Sequence, residues 1–240
     1  MSNYIYPSIS RVSATTLLWL LALIPSVSVS AKADVRDFPF TYEWFQNSKG
    51  ERELAYHLEY LQRASAFKHE LEYEYGVTKR FSVAPYIVFK HGDGRSLHFD
   101  AVKLETRYQL GDYKPNRVLA GLYLEVEQAE REALELEGKL ILSHYDRHGG
   151  NLSFNFILHR QFGSGTDLEP SYSLGYARNL KGDVRGGVEL IHDLNSGRIN
   201  GGPVASFNLG NIHIATGYAF PLSRNGGNKG ELRLLAEHHY

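Results

Sequence analysis

From Glu51 to the last residue the chain repeats one unit, a stretch of roughly ten residues in which apolar and polar side chains alternate, followed by a turn. In Glu51–Leu61, Leu54, Tyr56, Leu58 and Tyr60 share one face, while Glu53, Ala55, His57 and Glu59 share the other. In Ala66–Tyr75, Phe67, His69, Leu71, Tyr73 and Tyr75 oppose Lys68, Glu70, Glu72 and Glu74. Helical spacing cannot produce this pattern; a period of two is a strand. The alternation recurs over Phe81–Phe89, Val102–Leu110, Val118–Val126, Leu134–Leu142, Leu152–Leu158, Tyr172–Tyr176 and Val184–Leu190. It is ambiguous in the Gly-rich Ile199–Leu209 and clear again over Ile212–Phe220 and Leu232–Tyr240. About twelve strands result, an even number that returns the chain to the side on which it started.

The connections fit that count. Gly76–Arg80, Gly111–Asn116, Arg147–Gly150, Asn179–Asp183 and Gly210–Asn211 read as turns at one end. Leu61–Ser65, His91–Ser96, Gln128–Arg131, Gly163–Glu169, Asn195–Arg198 and Pro221–Gly230 read as short loops at the other. A sandwich with this pattern leaves edge strands to protect; a closed sheet does not. Aromatic residues gather at both strand ends: Tyr75, Phe81, Tyr108, Tyr176 and Tyr240 on the turn side, Tyr60, Phe67, Phe89 and Phe220 on the loop side. Two aromatic belts around an aliphatic band are the imprint of a bilayer. The expected fold is therefore all-β, a closed antiparallel up-and-down transmembrane barrel over residues 51–240. Pro85 and Pro203 fall inside strands and call for a bulge or a strand end, because proline brings no donor to a ladder. Residues 34–50 are an N-terminal arm or an extra strand, since Phe38, Phe40, Tyr42 and Trp44 also alternate.

Residues 1–33 have the order of a secretory signal peptide: Arg11, the apolar run Thr15–Ile24, then Ala31-Lys32-Ala33. That apolar run is about half of the roughly 20 residues a spanning helix needs. Export with cleavage near Ala33 is expected. It removes Arg11 and Lys32 and no acid, so the mature chain is slightly acidic and offers no basic face to nucleic acid. The absence of cysteine rules out a disulfide scaffold and thiol chemistry.

The final strand, GELRLLAEHHY, ends on an aromatic residue with Leu232, Leu234 and Ala236 on the same face as Tyr240. This resembles the terminal signal of bacterial outer-membrane barrels, and the hairpins EYEYGVTKRFSVAPY and SLGYARNLKGDVRGGVEL resemble those of small members of that class. His238 departs from the apolar or aromatic residue usual near that place. The resemblance implies a location in the bacterial outer membrane, with lipid and the barrel-assembly machinery as partners. It carries no catalytic residues over.

The inward parity is acid-rich. Glu53, Glu59, Glu70, Glu72 and Glu74 lie on the first two strands, with Lys68 the only base beside them in sequence. Glu105, Glu125, Glu127, Glu135, Glu137, Glu189, Glu231 and Glu237 follow on later strands, against Lys103, Arg107, Lys139, Arg185 and Arg233. Two readings stay open. A hydrated lumen so lined favours cations or small neutral solutes; alternatively the charges pair across strands and fill the barrel. The excess of acids leans towards the open form. A third reading, an outer-membrane hydrolase, lacks a nucleophile motif: Ser143 adjoins His144, but neighbours in a strand face opposite ways. His238, His239, His91 and His98 lack a spaced ligand set, and neither metal nor cofactor is expected. Nothing in the sequence speaks to oligomeric state.

Overall fold

In a strand that buries one face, every second side chain must meet the interior, and the chain follows that rule from β1 to β12. The computed structural model describes residues 36–44, 48–62, 64–92, 94–114, 116–130, 132–163, 168–223 and 230–240. The export signal expected over 1–33 lies outside them.

The strands are β1 (Arg52–Leu61), β2 (Ala66–Gly76), β3 (Phe81–Gly92), β4 (Arg95–Gln109), β5 (Val118–Ala129) and β6 (Leu134–Tyr145). They continue as β7 (Asn151–Gln161), β8 (Glu169–Lys181), β9 (Val184–Asp193), β10 (Arg198–Leu209), β11 (Ile212–Pro221) and β12 (Glu231–His239). Each pairs antiparallel with the next, and β12 closes on β1 from Glu53↔His239 to Leu61↔Glu231. Closure leaves no edge, so ladder groups that an open sheet would expose are paired.

The two faces invert the pattern of a soluble protein. Leu104, Leu122, Leu124, Leu140, Leu174 and Val188 are exposed on the outer face. Glu72, Glu105, Arg107, Glu189 and Glu237 are buried inside. Outer aromatics sit near both ends: Tyr108 pairs in register with Phe81 on the turn side, while Tyr60 packs on Phe67 at 4.7 Å on the loop side. β10 resolves with Pro203 outward and Val204 and Ser206 inward.

Local chemistry sets the turns. Lys181↔Val184 flanks Gly182-Asp183 and Leu209↔Ile212 flanks Gly210-Asn211, with φ of +56° and +62° at the two glycines. Two-residue hairpins demand positive φ there. In the β6–β7 turn the amides of His148 and Gly150 donate to Asp146 at 2.7 and 2.8 Å. Those two donors hold the Asp146 carboxyl below the ordinary aspartate range.

Three expectations are corrected. At Pro85 the β2–β3 ladder skips from Glu72↔Tyr86 to Tyr75↔Val83, and at Pro203 the β10–β11 ladder skips from Gly201↔Phe220 to Val204↔Gly217. The register is unchanged across each gap, so neither a bulge nor a strand end forms. Strong pairing on the far side (Pro85↔Leu104, Pro203↔Val188) keeps each strand in line. The loop expected at His91–Ser96 is mostly strand, since Gly92↔Arg95 is still paired. Finally, of the two alternatives for residues 34–50 the extra strand is excluded over the described residues 36–44, which form the arm and lie inside the barrel with no regular structure.

Candidate functional site

The lumen wall has two unlike halves. Towards β7 and β8 its inner residues are short and neutral, with Asn151, Ser153 and Asn155 on β7 and Ser171, Ser173, Gly175 and Ala177 on β8. From β12 through β1 to β6 it carries most of the charged residues, to which β9 adds Arg185 and Glu189. Residues 36–44 lie between these halves, in the turn-side part of the barrel.

With no edge available, the backbone of this segment takes its partners from wall side chains. Asn155 clamps Tyr42, accepting from its amide at 2.6 Å and donating to its carbonyl at 2.7 Å. One Glu189 carboxylate oxygen accepts from the amides of Phe40 and Thr41, at 3.2 and 2.6 Å. The Trp44 amide donates to Ser143 Oγ at 2.8 Å, and the Tyr145 hydroxyl donates to the Trp44 carbonyl at 2.6 Å. His213 Nε2 donates to the Arg36 carbonyl at 2.7 Å. Such pairing is what a buried backbone requires.

The side chains are seated as closely. Asp37 accepts from Nε and Nη2 of Arg185, from Ser206 and from Asn151, which also donates to Glu43. Phe38 is fully buried against Ala177 and Val204. Gly175 makes its place, because a Cβ there would lie 2.8 Å from the ring. Gly217 does the same beneath Pro39 and Phe40, at 2.9 and 3.3 Å. The Tyr42 ring lies between cations, 3.7 Å from Lys139 Nζ, 4.5 Å from the Arg36 guanidinium and 5.1 Å from that of Arg107. Desolvated cation–π contacts of this kind contribute about 2 kcal/mol or more each.

Above the segment, towards the loops, is a cavity of about 390 Å³ floored by Arg36, Pro39, Phe40 and Tyr42. Glu59, Glu70, Glu125, Glu127, Glu135 and Glu137 line it, with Lys103, Lys139 and Arg233. Of the other inward residues, Glu72, Glu74, Glu105 and Arg107 are buried lower down, Glu53 faces β12 beside His239, and Arg185 holds Asp37.

The acidic patch on β1 and β2 is not left to Lys68. Lys103 reaches Glu70, Glu125 and Glu127 at 3.1, 3.5 and 3.2 Å. Arg107 reaches Glu72 at 3.6 Å and Glu74 at 3.2 Å and also binds Glu105. His57 meets Glu72 at 2.8 Å, and Lys68 meets Glu70 at 2.9 Å. The reason lies on β3, which separates β4 from β2: Ser82 and Ala84 are short, and Arg107 extends over them. Lys139 pairs with Glu137 at 2.8 Å, while Arg233 joins Glu231 at 2.5 Å and Glu59 at 3.5 Å.

Ser143 and His144 do not meet. Ser143 is buried in the lumen and bonded to Trp44 and Ser153, while His144 pairs with Val118 on the outer face. Leu232 is exposed on the outer face of β12, with Leu234 and Ala236 at the same parity, and Tyr240 follows the strand. The residues that sequence reasoning passed over are the neutral ones that hold the segment, Asn151, Asn155 and Ser206; Ser143 enters it only beside His144. Their visible signal was a run of Asn, Ser and Gly at inward parity where β1–β6 carry charge.

No protein-family model matches this sequence, and no curated protein matches it. Solved structures do. A KdgM porin superposes with a TM-score of 0.60 at 12% identity, covering 78% of this chain and 99% of that one. The same porin in complex with disordered oligogalacturonate gives 0.59 at 10% identity, covering 79% and 99%. An outer membrane channel from Pseudomonas putida F1 gives 0.57 at 12% identity, covering 85% and 99%. The fold is that of outer-membrane β-barrels. At these identities the likeness speaks for the barrel alone, so the content of its lumen must be read from this chain.

Proposed function

We propose that the protein is a narrow passive channel of the bacterial outer membrane, for cations and small neutral solutes, closed from its turn side by residues 36–44. The observation that carries this reading is an acid-rich cavity on the loop side of the segment, floored by Arg36, Phe40 and Tyr42. The turn side is then periplasmic, where the chain enters the barrel after export. Acids outnumber bases around the cavity, and rings of carboxylates lower the energy of a cation and raise that of an anion. The oligogalacturonate named with the neighbouring porin is an acidic sugar polymer, a cargo this lining disfavours.

The test is conductance of refolded protein in a planar bilayer under a salt gradient. Wild type is expected to be closed with rare openings. Asp37→Ala combined with Phe38→Ala, which frees the segment from Arg185 and Gly175, is expected to conduct with a reversal potential favouring cations. A second reading, a non-conducting structural barrel, is favoured by how closely Gly175 and Gly217 fit the segment. It prevails if the double variant forms a folded barrel, shown by heat-dependent gel migration, and passes no current.

A further inference from the structure

The seam where the barrel closes gathers buried acid. Glu53 on β1 stands in register with Glu74 on β2 and with His239 on β12. Glu237, two residues before His239, has the same parity and is 1% exposed. Like charges placed opposite one another destabilise a sheet, and buried carboxylates need compensation. Among the described residues, Arg107 is shared by Glu72, Glu74 and Glu105, and Arg36 Nη1 lies 3.6 Å from Glu237 Oε1.

A second observation turns this cluster into a ligand set. The His239 side chain is only 11% exposed, and neither ring nitrogen makes a hydrogen bond. Its Nδ1 is aimed at Glu53 Oε2, 3.4 Å away. One ligand atom each from Glu53, Glu237 and His239 lies within 4.8 Å of the other two. A largely covered imidazole turned on one carboxylate without hydrogen-bonding it, with a second carboxylate within 4.8 Å, is oriented as a ligand.

We propose that Glu53, Glu237 and His239 bind a divalent transition-metal ion of the zinc class, bridging the first and last strands. One nitrogen and two carboxylate oxygens suit such an ion, with water completing the shell. Bonds of about 2.0–2.2 Å place tetrahedral ligands roughly 3.4 Å apart, so atoms now within 4.8 Å of one another need to draw in by up to about 1.4 Å. Side-chain rotation supplies that without moving a strand. His238 takes no part: it pairs with Leu54 at outward parity, and its Nδ1 lies 3.1 Å from the Asn211 carbonyl. The ion and Arg36 compete for Glu237, so occupancy loosens one tie of the 36–44 segment. By linkage, release of that segment tightens the ion. The inference rests on the seam's geometry and does not require the lumen to conduct.

The test is calorimetric titration of refolded, detergent-solubilised full-length chain with Zn2+ alone, run beside variants whose folding is checked by heat-dependent gel migration. One saturable site is expected, weakened at least tenfold by His239→Ala or Glu237→Gln and unchanged by His238→Ala. Arg36→Gln, which removes the competing cation, is expected to tighten it several-fold. Should His239→Ala fail to fold, Glu53→Gln and Arg36→Gln carry the same opposite signs. Absence of saturable binding overturns the proposal. So does affinity indifferent to Glu53→Gln and Glu237→Gln, or lost with His238→Ala, which would mark adventitious surface histidines.

Discussion

Gly175→Ala tests the docking of residues 36–44 without altering the segment itself. Gly175 is a strand residue on β8 whose backbone accepts alanine, so the only new element is a methyl group. That Cβ would stand 2.8 Å from Cδ1 and Cε1 of Phe38 and 2.9 Å from Cγ. The ring has nowhere to retreat, being fully buried against Ala177 and Val204. Overpacking of this kind costs about 1–3 kcal/mol. Borne by the docked state alone, it raises the undocked population about 5- to 150-fold, at roughly 1.4 kcal/mol per factor of ten. Trypsin reads that population directly. Arg36 is 8% exposed when docked, so cleavage after it requires the segment to leave the lumen. When cleavage is slow relative to re-docking, its rate tracks the open fraction. Mass spectrometry should show loss of the residues before Asp37 accelerating by that factor in Gly175→Ala. In a Phe38→Ala background the same substitution should add nothing, since its collision partner is gone. Equal cleavage rates in wild type and Gly175→Ala would refute the docking argument.

Other expectations follow from the charge pairs and the strand ends. Arg107→Ala leaves Glu72, Glu74 and Glu105 buried without their shared base, and breaking such a set costs about 3–5 kcal/mol; the midpoint of urea unfolding in detergent should fall accordingly. Glu125→Gln with Glu127→Gln removes two carboxylates held by Lys103, so a channel opened by Asp37→Ala and Phe38→Ala should lose cation preference in reversal-potential measurements. Unchanged preference would place the selective step elsewhere. Deleting Tyr240 or replacing it with Lys should lower the yield of assembled barrel in outer-membrane fractions. A charge near the interface itself costs only about 0–1 kcal/mol, so a large loss would report failed recognition by the assembly machinery. Asp146→Ala removes the acceptor of the His148 and Gly150 amides. Because the Asp146 carboxyl is held below its ordinary range, its contribution is present above that range and lost as pH falls through the lowered value, so wild type and variant should converge in acid.

Charge pairing across the lumen shows where sequence reading stopped. Parity alone placed Glu70, Glu72 and Glu74 on one face, but their partners Lys103 and Arg107 sit two strands away. Whether Arg107 reaches depends on barrel curvature and on Ser82 and Ala84 being short. Neither property belongs to β2 or β4 themselves. The two prolines show the same limit from the other direction: the local rule called for a break, and pairing with β4 and β9 held the register.

The strands of residues 51–240, their closed topology and, outside the Gly-rich Ile199–Leu209, the sorting of side chains inward or outward are determined by the sequence, because a period of two assigns each residue a face whatever its partner. The contents of the lumen are not. Phe38, Phe40, Tyr42 and Trp44 alternate like any strand, and taken locally they would join a sheet as readily as Leu54 to Tyr60 do. Closure of β1 onto β12 removes the edge such a strand would need. Only the assembled barrel then supplies Asn155, Glu189 and Ser143 to satisfy the segment's backbone, and Gly175 and Gly217 to admit its rings. Those partners come from strands far apart in the chain, so the segment's place becomes defined once the barrel exists around it.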